Sequence, residues 1–191
     1  MLFSPFYFSV IAFVALFLFS YLNLLPLEYK LIIVAIVYVF TVLLPRLAIF
    51  LYRRLNGWTR RQLGHKEKRL VPYILSILCY AALLYLMERM HLPRFTMSII
   101  AGALSIQVIC SVVNSWIKVS THSAAAGGVI GALMGFAHIF LFDPTGWLCV
   151  SIILAGAVGS ARLILRQHTL TEIGLGTLIG IICGFFCVVL I

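Results

Sequence analysis

The chain has 191 residues, 63% of them hydrophobic and 10% charged, with a formal net charge of +9 and a mean hydropathy of +1.15. That composition lies far outside the range of a soluble domain, and the length leaves no room for one beside a membrane domain. The positive charge is concentrated in one loop, which argues against a nucleic-acid partner and for anionic lipid headgroups or phosphate.

Seven apolar segments follow one another, at about 4–25, 30–52, 71–90, 96–117, 123–142, 147–165 and 172–191. They predict an all-α fold: a polytopic transmembrane helical bundle of six to seven helices, forming a single integral membrane domain over 1–191. The first segment lacks a basic n-region and a small-residue cleavage site, so it reads as a retained helix. Short turns near 26–29, 91–95 and 143–146 carry Pro26, Pro93 and Pro144, which stop helices. His91 with Arg94, and Asp143 with Pro144, read as plain turns at the end opposite the polar loops described next. His138 reads as a packing or interfacial histidine.

Alternate crossings place the loops after the second, fourth and sixth segments on one membrane face. These are 53–70 "RRLNGWTRRQLGHKEKRL", 118–122 "KVSTH" and 166–171 "RQHTLT". In the first, Arg53, Arg54, Arg60, Arg61 and His65 read as a basic surface beside the membrane, while Lys66 and Arg69 lie near Pro72 and within reach of the shared face. Gly127, Gly131 and Gly135 are spaced by four, as are Gly176, Gly180 and Gly184, a pattern that lets helix backbones approach closely in lipid. Cys79, Cys110, Cys149, Cys183 and Cys187 all lie in apolar runs and read as buried small hydrophobes, not as a metal or disulfide framework.

The loop after the sixth segment gathers the most chemistry. Arg162 precedes His168 by six residues and Glu172 follows it by four. If the segment continues as a helix, His168 and Glu172 share a face. A carboxylate beside an imidazole fixes its tautomer and makes the other ring nitrogen a better nucleophile. Arg162 offers a fixed fork of donors for phosphate oxygens. The plainer reading is a solvated interfacial cluster with a snorkelling arginine. In "KVSTH", Ser120 or Thr121 is a natural N-cap, the following turn offers backbone N–H groups to an anion, and His122 sits where a general acid would be needed. Here the plainer reading is a capped helix with a spectator histidine.

In this order the three stretches resemble the motifs of the type 2 phosphatidic acid phosphatase superfamily, over about residues 60–184. The family's S-R-x-x-x-x-x-H-x-x-x-D corresponds to "SARLILRQHTLTE", with Ala161 at the position of its serine and Glu172 at that of its acid. Its P-S-G-H corresponds to "VSTH", and its K-x-x-x-x-x-x-R-P to a stretch in which Arg69 matches, Gln62 stands at the lysine and the proline is displaced to Pro72. The resemblance implies a metal-independent, cofactor-free membrane lipid phosphatase. His168 would form a phosphohistidine, Glu172 would orient it and His122 would protonate the leaving alkoxide. Arg69 and Arg162 would hold the phosphate with Thr121 and the backbone around it and His122, and Ser120, which matches the motif's serine, would be a further phosphate ligand. Lys66 or Lys118 would replace the missing lysine.

The expected partners are a lipid phosphate substrate and the surrounding membrane lipids. A binder of anionic lipid without turnover, or an unrelated transporter or scaffold, remain as alternatives. For a transporter, Arg46 is the charge nearest mid-helix. Ten of the fourteen Lys and Arg lie on the motif face, which by the positive-inside rule is cytoplasmic. The resemblance instead points to the periplasmic side of a bacterial inner membrane, and that is the side expected here.

Overall fold

A computed structural model of the chain describes residues 6–19, 26–55 and 70–191. Among them there is no strand. The helices are α1 (Phe6–Phe19), α2 (Leu27–Tyr38), α3 (Leu44–Leu55), α4 (Leu70–Arg89), α5 (Arg94–Trp116), α6 (Thr121–Phe140), α7 (Thr145–Ile164) and α8 (Leu170–Leu190). A π-helical turn, Val39–Leu43, joins α2 to α3 in one continuous helix. The seven apolar segments of the sequence thus become seven helices, shifted by a few residues. Among the described residues, six are long and apolar enough to cross a membrane, beginning with Leu27–Tyr52. The 14 described residues of α1 are fewer than a span needs.

The helix starts follow from local chemistry. Pro26, Pro93 and Pro144 stand at the N-caps of α2, α5 and α7, where a missing N–H costs nothing and the ring fixes φ. α6 and α8 are capped by side chains instead, by Ser120 and Thr169. The π turn has its cause in Pro45, which is fully buried. Its ring excludes the carbonyl four residues back and offers no N–H to it. The helix widens there, Leu44 N–H donates to Val39 O, and the Thr41 hydroxyl donates to Val37 O at 2.7 Å.

Two apolar clusters form the core. One joins Phe13, Ile33, Val37, Tyr80, Leu83 and Ile100, from α1, α2, α4 and α5. The other joins Ile106, Cys110, Val119, Ala124 and Cys183, and underlies the polar face. Much of the remaining apolar surface points outward, as at Ile153 (70% exposed), which suits a lipid surrounding. Arg46 is not a lone mid-span charge. Its Nη1 donates to the Tyr7 hydroxyl at 2.9 Å, and its guanidinium lies 4.8 Å from the centre of that ring.

The closest packing is between α6 and α8. A Cβ on Gly127 or Gly131 would strike the carbonyl oxygens of Thr177 or Ile181. One on Gly180 or Gly184 would strike those of Ala124 or Gly128, and one on Gly176 would lie 2.6 Å from Ser120 O. Backbone therefore meets backbone over three turns. The pairing rises together on both helices, so they run parallel and their N-termini lie side by side. Gly180→Ala should then destabilise the bundle by about 1–3 kcal/mol, because backbone cannot move aside as a side chain can. Gly156→Ala, whose Cβ meets nothing within 4 Å, should be neutral or mildly stabilising. Thermal unfolding of the detergent-solubilised variants checks this. Equal melting points would show that the α6–α8 approach is not what limits stability.

Candidate functional site at the paired helix N-termini

The strand-like turn before α6 is pinned from below. The buried Asn114 side chain accepts from Val119 N–H at 3.4 Å. Ser120 N–H donates to Glu172 O at 3.3 Å, tying the start of α6 to the first turn of α8. The Ser120 hydroxyl is fully buried, accepts from Ser123 N–H at 3.4 Å and pairs with the Ser123 hydroxyl at 2.9 Å. Ser120 is thus committed to the cap. Thr121 and His122 follow as the first helical residues, and among the described residues their N–H groups meet no protein acceptor.

α7 ends in a Schellman motif. Arg166 takes φ 49°, Arg166 N–H donates to Leu163 O at 2.9 Å, and Gln167 N–H donates to Arg162 O at 3.1 Å. This turn folds the chain back over the last turn of α7. Thr169 then caps α8 in a capping box with Glu172: Glu172 N–H donates to the Thr169 hydroxyl at 3.4 Å, and Thr169 N–H donates to Glu172 Oε2 at 3.4 Å. The expectation that His168 and Glu172 meet on a continuing helix is corrected here, because α7 stops at Ile164 and α8 starts at Leu170. They meet because the capping box curls Glu172 back towards the residue before the cap. His168 Nδ1 lies 2.7 Å from Glu172 Oε2. With Nδ1–H donated to the carboxylate, Nε2 carries the free lone pair.

A cavity of about 280 Å³ opens at this point. Its walls are Val119, Thr121, His122, Arg162, Gln167 and His168, together with Pro72 and Tyr73 of α4. Arg162 Nη1 donates to Gln167 Oε1 at 2.6 Å. Lys118 Nζ donates to the Gln167 carbonyl at 2.5 Å and stands 3.9 Å from Glu172 Oε2. The structure therefore brings together His168, His122, Glu172, Arg162, Lys118 and Thr121. Ser120 lies beneath them. Arg69 and Lys66, along with Gln62 and His65, fall outside the described residues.

Burial pushes the His168 imidazole below its ordinary value. The hydrogen bond to Glu172 pulls it up, while the charges of Lys118 and Arg162 push it further down. The ring is thereby kept neutral at neutral pH.

Gln167, Tyr73 and Asn114 were not singled out by the sequence. Gln167 stands at a variable position of the quoted motif. Asn114, a lone amide near the end of an apolar helix, carried a signal of its own: a polar side chain there needs a partner. At the other end of the bundle, His91 (φ 51°) closes α4 and Asp143 Oδ1 accepts from Thr145 N–H at 3.0 Å, both as turn residues. Compared with protein families, curated proteins and solved structures, the chain matches none of them.

If His168 acts as a neutral nucleophile, its activity is full above its folded pKa and is lost as pH falls through it. The acid limb of the rate profile should then lie below the ordinary value of 6.5. Glu172→Gln removes the interaction that raises that pKa, so the limb should move to still lower pH while the plateau rate drops. A limb that stays put or moves up, measured as kcat/KM against pH, would separate His168 from Glu172 functionally.

Proposed function

We propose that the protein is a membrane lipid phosphatase that hydrolyses a phosphate monoester or pyrophosphate on a lipid headgroup, through a phosphohistidine on His168. One observation carries the reading: His168 Nδ1 is held by Glu172 at 2.7 Å while the ring lines a cavity with His122 and Arg162. An oriented imidazole, a second imidazole and a guanidinium around one cavity form a minimal set for phosphoryl transfer. The two parallel helix N-termini add positive potential where phosphate would sit. The cavity lies at the ends of membrane helices, so a lipid tail can stay in the bilayer while its headgroup reacts. The likeness to the phosphatidic acid phosphatase motifs supports the same assignment.

In the first step the His168 Nε2 lone pair attacks phosphorus, and the ester P–O bond breaks with its electrons passing to the leaving oxygen. The arriving phosphate dianion favours protonated His122 beside it, and His122 gives that proton to the lipid alkoxide. Glu172 stabilises the positive charge that develops on His168. In the second step water attacks phosphorus, His122 takes its proton, and the P–N bond breaks to return neutral His168 and free phosphate. Arg162 and the N–H groups of Thr121 and His122 neutralise the equatorial oxygens throughout, with Lys118, Arg69 and Lys66 as further cations of the set. No step draws on a metal or cofactor.

His168→Ala should abolish release of phosphate from every lipid phosphate tested, and from p-nitrophenyl phosphate, since neither can form the phosphoenzyme. His122→Ala should damage lipid hydrolysis most. General-acid catalysis is typically worth about 10²–10⁴-fold, and p-nitrophenolate leaves without a proton. The His122→Ala defect should shrink by at least about tenfold, roughly 1.4 kcal/mol, on the activated ester. Single-turnover rates check this, because they isolate formation of the phosphoenzyme. Equal losses on both substrates would make His122 a phosphate ligand. Excess EDTA should leave turnover unchanged, and a loss restored by Mg²⁺ would sink the metal-free route.

The site is assigned to the periplasmic face of a bacterial inner membrane, on the strength of the resemblance and against the count of basic residues. α8 starts at the site and is long enough to cross, so the C-terminus lies on the face opposite the site. A C-terminal fusion to a reporter active only in the cytoplasm should therefore be active. Silence of that reporter, with activity of a periplasmic one, would reverse the orientation or change the number of crossings.

A further inference from the structure

Gln167 stands at the centre of the site, yet the reaction above gives it no role. Its side-chain oxygen accepts from Arg162 Nη1 at 2.6 Å, and its main-chain oxygen accepts from Lys118 Nζ at 2.5 Å. One residue thus serves both Lys118 and Arg162 as an acceptor. Gln167 also lines the cavity. The residue that supplies the acceptor Arg162 now uses therefore borders the space a phosphate would enter.

The two oxygens are not equally movable. The main chain of Gln167 is fixed by the Schellman turn, through its N–H on Arg162 O at 3.1 Å and the left-handed Arg166 before it. The side chain is exposed and turns about its own bonds at little cost. An arginine binds phosphate best through two parallel N–H donors. While one Nη1 hydrogen is held by the carboxamide, the guanidinium has one donor fewer to offer an incoming phosphate. A phosphate dianion is a stronger acceptor than a neutral amide, so it competes for that donor and displaces the side chain.

We infer that the Gln167 carboxamide is a resident competitor: it occupies Arg162 in the empty site and is displaced by an incoming phosphate. It sets a threshold on binding, since a ligand must offer Arg162 more than an amide oxygen does. The inference rests on the phosphate-binding part of the proposed function and not on turnover.

The test is titration of orthophosphate into the purified full-length protein in detergent, followed by phosphorus NMR. Thermal melting is recorded on each variant to establish that it is folded. Gln167→Ala removes the competitor and should tighten orthophosphate binding about fivefold, roughly 1 kcal/mol. Gln167→Leu, which keeps bulk but has no acceptor, should do the same and serves if the alanine variant does not fold. Gln167→Glu supplies a stronger competitor and should weaken binding by tenfold or more. Affinity that is unchanged or weaker in the folded alanine or leucine variant overturns the proposal and makes Gln167 a positioning residue for Arg162. A wild-type protein that binds phosphate but releases none from lipid phosphates would sink the catalytic reading and leave this measurement valid. Turnover by the wild type without tightening in the variants would sink the competitor alone.

Discussion

The constraint on which the rest depends is the contact of backbone with backbone between α6 and α8. Only glycine allows it at Gly127, Gly131, Gly180 and Gly184, where any Cβ would overlap a carbonyl oxygen of the facing helix. In lipid there is little hydrophobic drive between helices, and close packing of this kind takes its place. Because the two helices are parallel, α7 has to return along the outside. It keeps a largely lipid-facing surface, with Ile152 and Ile153 exposed, and delivers the chain to the start of α8. Everything polar that follows is placed by that arrangement: two helix N-termini abreast, the turn ending α7 beside them, and the Ser120–Glu172 backbone bond between them.

The electrostatics of the face follow. Two helix starts present unpaired N–H groups and positive dipole ends. Lys118 and Arg162 add two full charges, and Glu172 is the acid among them. It closes the capping box, accepts from His168, and stands 3.9 Å from Lys118. A carboxylate in the first turn of a helix is favourable in its own right. The group that orients His168 therefore also stabilises α8. The coupling runs both ways: loss of the cap loosens the imidazole, and the site's shape is as firm as the fold beneath it.

Much of this was legible in the sequence. Hydrophobic run length located the helices, because a span needs about 20 apolar residues, and Pro26, Pro93 and Pro144 marked three of their starts. The glycine spacing marked the close helix pair. The parity of crossings put Lys118, His122, Arg162, His168 and Glu172 on one face. What the sequence could not convey was how a short turn is folded. It suggested helical spacing for His168 and Glu172, whereas the contact comes from a cap. It offered Ser120 as a cap of α6, which it is, but gave no sign that the backbone bond to Glu172 and the Ser123 pair draw that hydroxyl inside. It passed over Gln167, whose importance depends on a left-handed Arg166, and nothing in an arginine codon-for-residue reading signals φ 49°. Arg69 and Lys66 lie outside the described residues.

The departures from the resembled motifs have a local physical sense. Thr121 stands where the motif has glycine. Here it is the first residue of α6 with ordinary helical geometry, and the residues with positive φ are elsewhere, at His91, Leu141 and Arg166. A threonine therefore fits without backbone strain. Glu172 stands where the motif has aspartate. It is the third residue of α8, the position at which a capping box takes Glu or Gln because the side chain must reach back over a full turn. The same reach lets Oε2 meet both Thr169 N–H and His168 Nδ1. In a turn built this way the longer acid is the one that can close the cap and hold the imidazole together, so the substitution is matched to the turn that surrounds it.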